Sequence, residues 1–158
     1  MDPGEPSLLF RAIPQQLRLT PEEKRALKYF AKHLSTRVAD GRSFTCLFTN
    51  DRQLQRLNLQ FLGHDYPTDV LSFPSSGNGE LGELAISAER AEAQAQHFGH
   101  SRLDEMRVLM LHGLLHLTGL DHERDRGRME RAEQKWRAEF DLPGTLIARA
   151  AASGGSKR

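Results

Sequence analysis

The chain has 158 residues, 38% hydrophobic and 27% charged, a balance that supports one folded domain with its own core and excludes wholesale disorder. With 22 basic and 21 acidic side chains the net charge is +1, which excludes a global polycation, so an RNA partner has to be met by a local basic patch. One cysteine, Cys46, excludes an internal disulfide, and without a long apolar run or a secretory leader the expectation is a cytoplasmic protein.

In chain order, "SLLFRAI" (7–13) reads as a first strand closed by Pro14. Thr20-Pro21-Glu22-Glu23 is a helix start in which Thr20 caps, Pro21 suits the first turn and Glu23 completes a capping box. That helix is expected to run to about Ala39 and to stop near Gly41. "RSFTCLFT" (42–49) is rich in β-favouring residues and predicts a second strand, with Cys46 as a small core residue. Asn50 caps a short helix over 51–60, with Leu54, Leu57 and Phe61 on its inner face. After the loop "GHDYP", a strand over 68–74 stops at Pro74, and the turn "SSGNGE" leads to its hairpin partner, 81–87. Ser87 is placed to cap a helix over 88–97 ending at Gly99, where His97 and His100 suit the negative end of the helix dipole.

Ser101 and Asp104 open the next helix, which carries His112 and His116. A last helix over 123–139 contains Trp136, and its opposite charges at three- and four-residue spacing read as a solvated, ion-paired face. This order of elements predicts an α+β fold, a single small mixed β-sheet packed with helices. The expected domain covers residues 1–142, and 143–158 is expected to be a disordered tail.

The sharpest signal is "HGLLHLTGLDH", which holds three of the chain's seven histidines, His112, His116 and His122. Residues four apart share a helix face, about 5–6 Å apart at Cβ, so His112 and His116 can aim two imidazoles at one ion. Gly119 is placed to end the helix in a left-handed conformation and bring His122 round as a third ligand. By chance the spacing arises in roughly one chain in a hundred of this histidine content. The surrounding helix is apolar on nearly all sides, so its histidines need polar partners once buried. Three imidazoles suit zinc, making one Zn2+ ion the expected cofactor and the helix zincin-like. Three protein ligands also leave a fourth position open, as catalytic sites do. Asp121 can close it, or instead orient a histidine N–H or a capping amide, which is the commoner use.

The same spacing marks a large class of zinc proteases, whose glutamate after the first histidine moves a proton from water to the leaving amine. Here that position is Gly113. Peptide hydrolysis is therefore disfavoured. Phosphodiester cleavage is less demanding, since a metal polarises a phosphoryl oxygen and an RNA 2′-hydroxyl can serve as internal nucleophile. The missing side chain also reads as room for a bulky substrate beside the ion. Asp69, on the strand expected to face the site, reads either as a base or orienting partner or as a backbone-capping residue. Ser72 and Glu83 carry the same ambiguity, and His64 reads as a solvated loop residue.

Together with "PTDVLSFP" and "LGELAIS" upstream, in this order and spacing, "HGLLHLTGLDH" resembles the YbeY family of bacterial rRNA maturation endoribonucleases. The likeness is strongest over residues 57–122. It implies His112, His116 and His122 as zinc ligands, and a cleft lined by Thr68–Pro74 and the "LGE" turn. The implied activity is a single-strand-directed endoribonuclease of 16S rRNA 3′-end maturation and ribosome quality control. The implied partners are precursor rRNA, ribosomal particles and ribosome-associated proteins, with no membrane. Asp69 and Asp121 are the candidate catalytic carboxylates. Some members carry an arginine just after the aromatic residue of "LNxxF", where this chain has Leu62; a phosphate contact would then fall to Arg56 or another arginine. Two other classes stay open. One is a ribosome-assembly binding factor with a structural zinc, which suits the missing arginine; the other is a metal-dependent amidase or peptidase, which Gly113 disfavours.

Overall fold

Four of the helices begin where a side chain satisfies a backbone N–H that the helix itself leaves unbonded. The computed structural model describes residues 5–75, 77, 79–120 and 126–143. Strand β1 (Ser7–Phe10) is followed by α1 (Pro21–Arg37), β2 (Thr45–Thr49), α2 (Asp51–Leu62), β3 (Val70–Pro74) and β4 (Gly82–Ser87). Helices α3 (Ala88–Phe98), α4 (Arg102–Leu117) and α5 (Arg128–Glu139) follow, and a short 3-10 helix (Gln15–Leu17) lies between β1 and α1. Thr20 accepts from the Glu23 N–H in a complete capping box, and Asn50, Ser87 and Ser101 cap α2, α3 and α4 by accepting from the N–H of Gln53, Arg90 and Asp104. These are the caps the sequence predicts.

The four strands form one mixed sheet in the order β1-β2-β4-β3. β1, β2 and β4 are parallel, and β3 runs antiparallel to β4, with Val70 opposite Ile86 and Leu71 opposite Ala85. The fold is therefore α+β with one small mixed sheet, as expected. Alternation along the strands splits the apolar side chains between two faces. Cys46, Phe48, Leu84 and Ile86 join Leu27, Leu34 and the apolar residues of α4 in the larger core. Leu71 and Ala85 meet Leu54 of α2 in a smaller cluster. Burial raises the Cys46 thiol above its usual range, so it stays a protonated core residue.

Helix α4 is buried on nearly every side, Met106, Val108, Leu109, Met110, Leu111 and Leu114 all being 0% exposed. At roughly 1.5–3 kcal/mol for each large aliphatic side chain, this one helix carries a major share of the hydrophobic stabilisation. It packs against α1, α3, α5, β3 and β4.

Most boundaries fall within two residues of expectation, and three differ by more. β1 ends at Phe10 rather than residue 13, because Ala12 takes a left-handed φ of 53° and breaks the extended backbone. β2 begins at Thr45 rather than 42. α5 begins at Arg128 rather than 123, with Arg126 (φ 58°) and Gly127 (φ 82°) turning the chain into it. The backbone N–H of His100 reaches the Ala95 carbonyl at the end of α3, but its ring turns to α4. Its Nε2 lies 2.6 Å from Oε1 of the buried Glu105, whose other oxygen accepts from Gln94 at 2.6 Å. The tail assigned to 143–158 lies outside the described residues beyond Pro143.

Arg102, the first residue of α4, ties that helix to the start of α1. Its Nη2 donates to both Glu23 oxygens, at 3.0 and 3.1 Å, while Glu23 also accepts from the Thr20 N–H at 2.9 Å. Partial burial pushes the Glu23 pKa up, but the Thr20 N–H and Arg102 outweigh it and hold the carboxyl below its ordinary value. A depressed carboxyl pKa adds stability above the ordinary carboxylate range and loses it as pH falls through the folded value. Glu23→Gln is therefore expected to cost about 1 kcal/mol at neutral pH, with the gap to wild type closing on acidification. Denaturant titrations at neutral and acidic pH measure it, and a gap that does not depend on pH refutes the ion-pair account.

Candidate metal centre

His112 and His116 lie one turn apart on α4 and face each other, their Nε2 atoms 3.1 Å apart and their rings inclined at 77°. His112 is 3% exposed, and its Nδ1 is hydrogen-bonded to Glu133 Oε1 of α5. A carboxylate only accepts, so it selects the tautomer with the proton on Nδ1, leaving the lone pair on Nε2 directed at the neighbouring ring. Two nitrogens bound to one tetrahedral zinc at roughly 2.0–2.1 Å stand about 3.3 Å apart. The observed separation fits that requirement. It also suits an N–H···N hydrogen bond between the rings.

Behind His112, Glu133 is fully buried, and Arg137, one turn further along α5, places Nη2 3.6 Å from Glu133 Oε2. Arg137 is 3% exposed, and its Nη1 donates to the carbonyl of Pro143. These two residues are ion-paired at four-residue spacing as expected, but they are buried rather than solvated. They point inward because Met129, Ala132, Glu133, Trp136 and Phe140 recur at helical spacing on the side facing the core. Glu133 is the residue the sequence reading missed. The available signal was a glutamate lying on an otherwise apolar stripe, with an arginine four residues on.

Gly119 has a φ of 98° and turns the chain after α4, as its sequence context predicts. His122 and Asp121 lie outside the described residues. Among the described residues, no group of three His, Cys, Asp or Glu side chains is arranged to hold an ion.

The histidine pair lines a cleft of about 270 Å³ with Asp69, Thr68, Ser72 and Leu62. Asp69 is 4% exposed, accepts weakly from the Thr68 hydroxyl at 3.5 Å, and uses its own carbonyl to accept from the Ser87 N–H at 3.0 Å. Asp69 therefore borders the same cavity as the imidazoles while its backbone holds β3 to the end of β4. The Ser72 hydroxyl donates to the Gly113 carbonyl at 3.0 Å, joining β3 to α4. Glu83 is not in this cleft. It is exposed and lines a separate apolar groove with Leu57, Phe61 and Phe73, so the "LGE" turn does not flank the histidines as expected. Phe61, expected to point inward, is 59% exposed. The apolar side chain of Leu62 forms one wall of the cleft, and no arginine is among the described residues lining it.

Gly113 does not open space for substrate. A Cβ there would meet Leu84 Cδ2 at 2.8 Å, Val70 Cγ2 at 3.1 Å and Ser72 Oγ at 3.3 Å. The glycine is the point at which α4 packs directly onto β3 and β4. A glutamate after the first histidine would have to displace Leu84 and Val70, whatever its chemistry.

A mixed sheet thus backs a buried helix that presents two imidazoles to a cleft lined also by Asp69. The sequence pattern of the family described as Endoribonuclease YbeY matches residues 14–141. An endoribonuclease YbeY from Solibacter usitatus is 52% identical over 147 residues, covering 93% of this chain and 96% of that one. One from Koribacter versatilis is 48% identical over 103 residues, covering 65% of this chain and 68% of its own length. A solution structure from Thermotoga maritima superposes with a TM-score of 0.54 at 25% identity, covering 86% of this chain and 91% of that one. The chain belongs to the endoribonuclease YbeY family.

Replacing Gly113 tests the packing. Gly113→Glu is expected to lower stability by about 3 kcal/mol or more, because a charge enters a filled apolar contact. Gly113→Ala gains helix propensity of about 1 kcal/mol but meets Leu84, and is expected to change stability by less than about 2 kcal/mol. Thermal unfolding distinguishes the two, and a Gly113→Glu protein as stable as wild type would refute the steric account.

Proposed function

We propose that this protein is a zinc-dependent, single-strand-directed endoribonuclease acting on precursor rRNA, in 16S rRNA 3′-end maturation and ribosome quality control. The observation that carries the reading is the pair of Nε2 atoms 3.1 Å apart, one of them backed by a buried carboxylate, in a cleft that also holds Asp69. Family membership supports the endoribonuclease class. In this reading His112 and His116 are zinc ligands, His122 is the third, and the helix that carries them is zincin-like.

A bound zinc supplies Lewis-acid polarisation of a phosphoryl oxygen. The chain's own residues do the rest. Glu133 holds the His112 ring in place. Asp69 is the carboxylate among the described cleft-lining residues, and its role is to take or return the proton that moves during phosphodiester cleavage. Asp121, beside His122 in sequence, orients that histidine or serves as the second proton carrier. Leu62 contributes an apolar wall, so arginines outside the described cleft lining, Arg56 among them, supply the attraction to RNA phosphates. The partners in this reading are precursor rRNA, ribosomal particles and ribosome-associated proteins in the cytoplasm. Among the described residues, no helix is long and apolar enough to cross a membrane.

One observation favours a second reading, a ribosome-assembly binding factor with a structural zinc: the apolar Leu62 stands where phosphate would be met. His116→Ala separates the two. His116 is only partly buried, so the variant is expected to keep its circular-dichroism spectrum, lose zinc measured by elemental analysis, and cut a single-stranded RNA at less than about a hundredth of the wild-type rate. Full cleavage by the metal-free variant would overturn the zinc-enzyme reading. Wild-type protein that holds zinc and binds pre-ribosomal particles without cutting RNA would support the binding factor.

A further inference from the structure

We infer that Glu133, with its charge balanced by Arg137, is a positioning residue for the histidine site: it locks the His112 tautomer and thereby sets the affinity for zinc. The inference rests on the metal reading above and adds a residue from a separate helix.

A buried carboxylate with a guanidinium beside it is a demanding arrangement. Glu133 is 0% exposed, and His112 and Arg137 are each 3% exposed, so all three polar groups have left water. Buried ion pairs add little net stability over apolar side chains of similar volume, so stability is a weak reason for this one. Orientation is a better reason. Glu133 Oε1 accepts from His112 Nδ1, and its other oxygen faces Arg137 at 3.6 Å. A ring protonated at Nδ1 and held from behind cannot rotate its Nε2 lone pair away from His116. Carboxylate support of this kind raises the basicity of a metal-binding imidazole and fixes its direction.

The connection also has mechanical reach. Arg137 donates to the Pro143 carbonyl, so the end of α5 is tied to the same charge cluster that supports His112. Residues 118–127, which join α4 to α5 and include His122, are thus flanked by helices linked through this cluster. Docking of α5 and zinc binding at α4 are coupled through the one carboxylate.

The test uses the full chain in two measurements. Long-range proton–nitrogen correlation of the zinc-free wild type reports the His112 tautomer with no substitution; protonation at Nδ1 is expected. Competition with a chromophoric zinc chelator then compares wild type with Glu133→Gln, whose amide can either donate or accept and so selects neither tautomer. The variant is expected to show a mixture of His112 tautomers and about a 10- to 100-fold loss of zinc affinity. A His112 protonated at Nε2 in the zinc-free wild type overturns the inference, even if the variant fails to fold. Unchanged zinc affinity in Glu133→Gln, against a wild type that binds zinc, overturns this inference alone. A wild type that binds no zinc overturns the metal reading and this inference together.

Discussion

The constraint on which the rest of the molecule depends is the burial of α4. A helix enclosed on nearly every side by sheet and helices stabilises the domain through its apolar residues, but it carries two imidazoles into the same enclosure. Buried polar groups demand partners. The fold supplies them from three directions: a carboxylate from α5 behind His112, the second imidazole beside it, and a cleft opening toward the approach to β3. Strand β3 has its place in this scheme. It lies at the edge of the sheet, where Asp69, Val70 and Ser72 can border a cavity and still pack against the helix.

Gly113 shows how packing and chemistry are decided together. The close approach of α4 to Leu84 and Val70 leaves little room for a side chain at this position. That approach brings the histidines down onto the Thr68–Ser72 segment, and it removes the position from which a protease-type glutamate would act. Peptide hydrolysis thus loses its proton carrier for a geometric reason. In the proposed reading the proton chemistry falls to carboxylates from other parts of the chain, of which Asp69 borders the described cleft.

Two buried charge clusters give α4 its polar support, and they differ in consequence. Near its start, Glu105 is held by His100 and Gln94 at the junction with α3, and Arg102 reaches Glu23 on α1. These contacts fix how helices sit on one another. Near its end, Glu133 and Arg137 act on a ring that also faces the cleft. The same chemistry, a buried carboxylate with a cation or imidazole beside it, locks a helix junction in one place and holds a cleft-lining imidazole in the other.

Much of this protein is determined locally and so was legible in the residues. The caps at Thr20, Asn50, Ser87 and Ser101 act within three residues, so each helix start could be read without knowledge of the fold. The i, i+4 spacing of His112 and His116 places two rings on one face by helix geometry alone. Tertiary structure decided what lies between distant segments. Charge spacing on α5 could not reveal that Glu133 and Arg137 turn inward, because that depends on which face the helix docks. Gly113 read as an absence that leaves room, when the sheet had already filled that room. Glu83 read as a neighbour of the histidines, yet strand alternation sends it to the other face of β4. Spacing along the chain specifies which groups one element can present together; only packing specifies what each group meets.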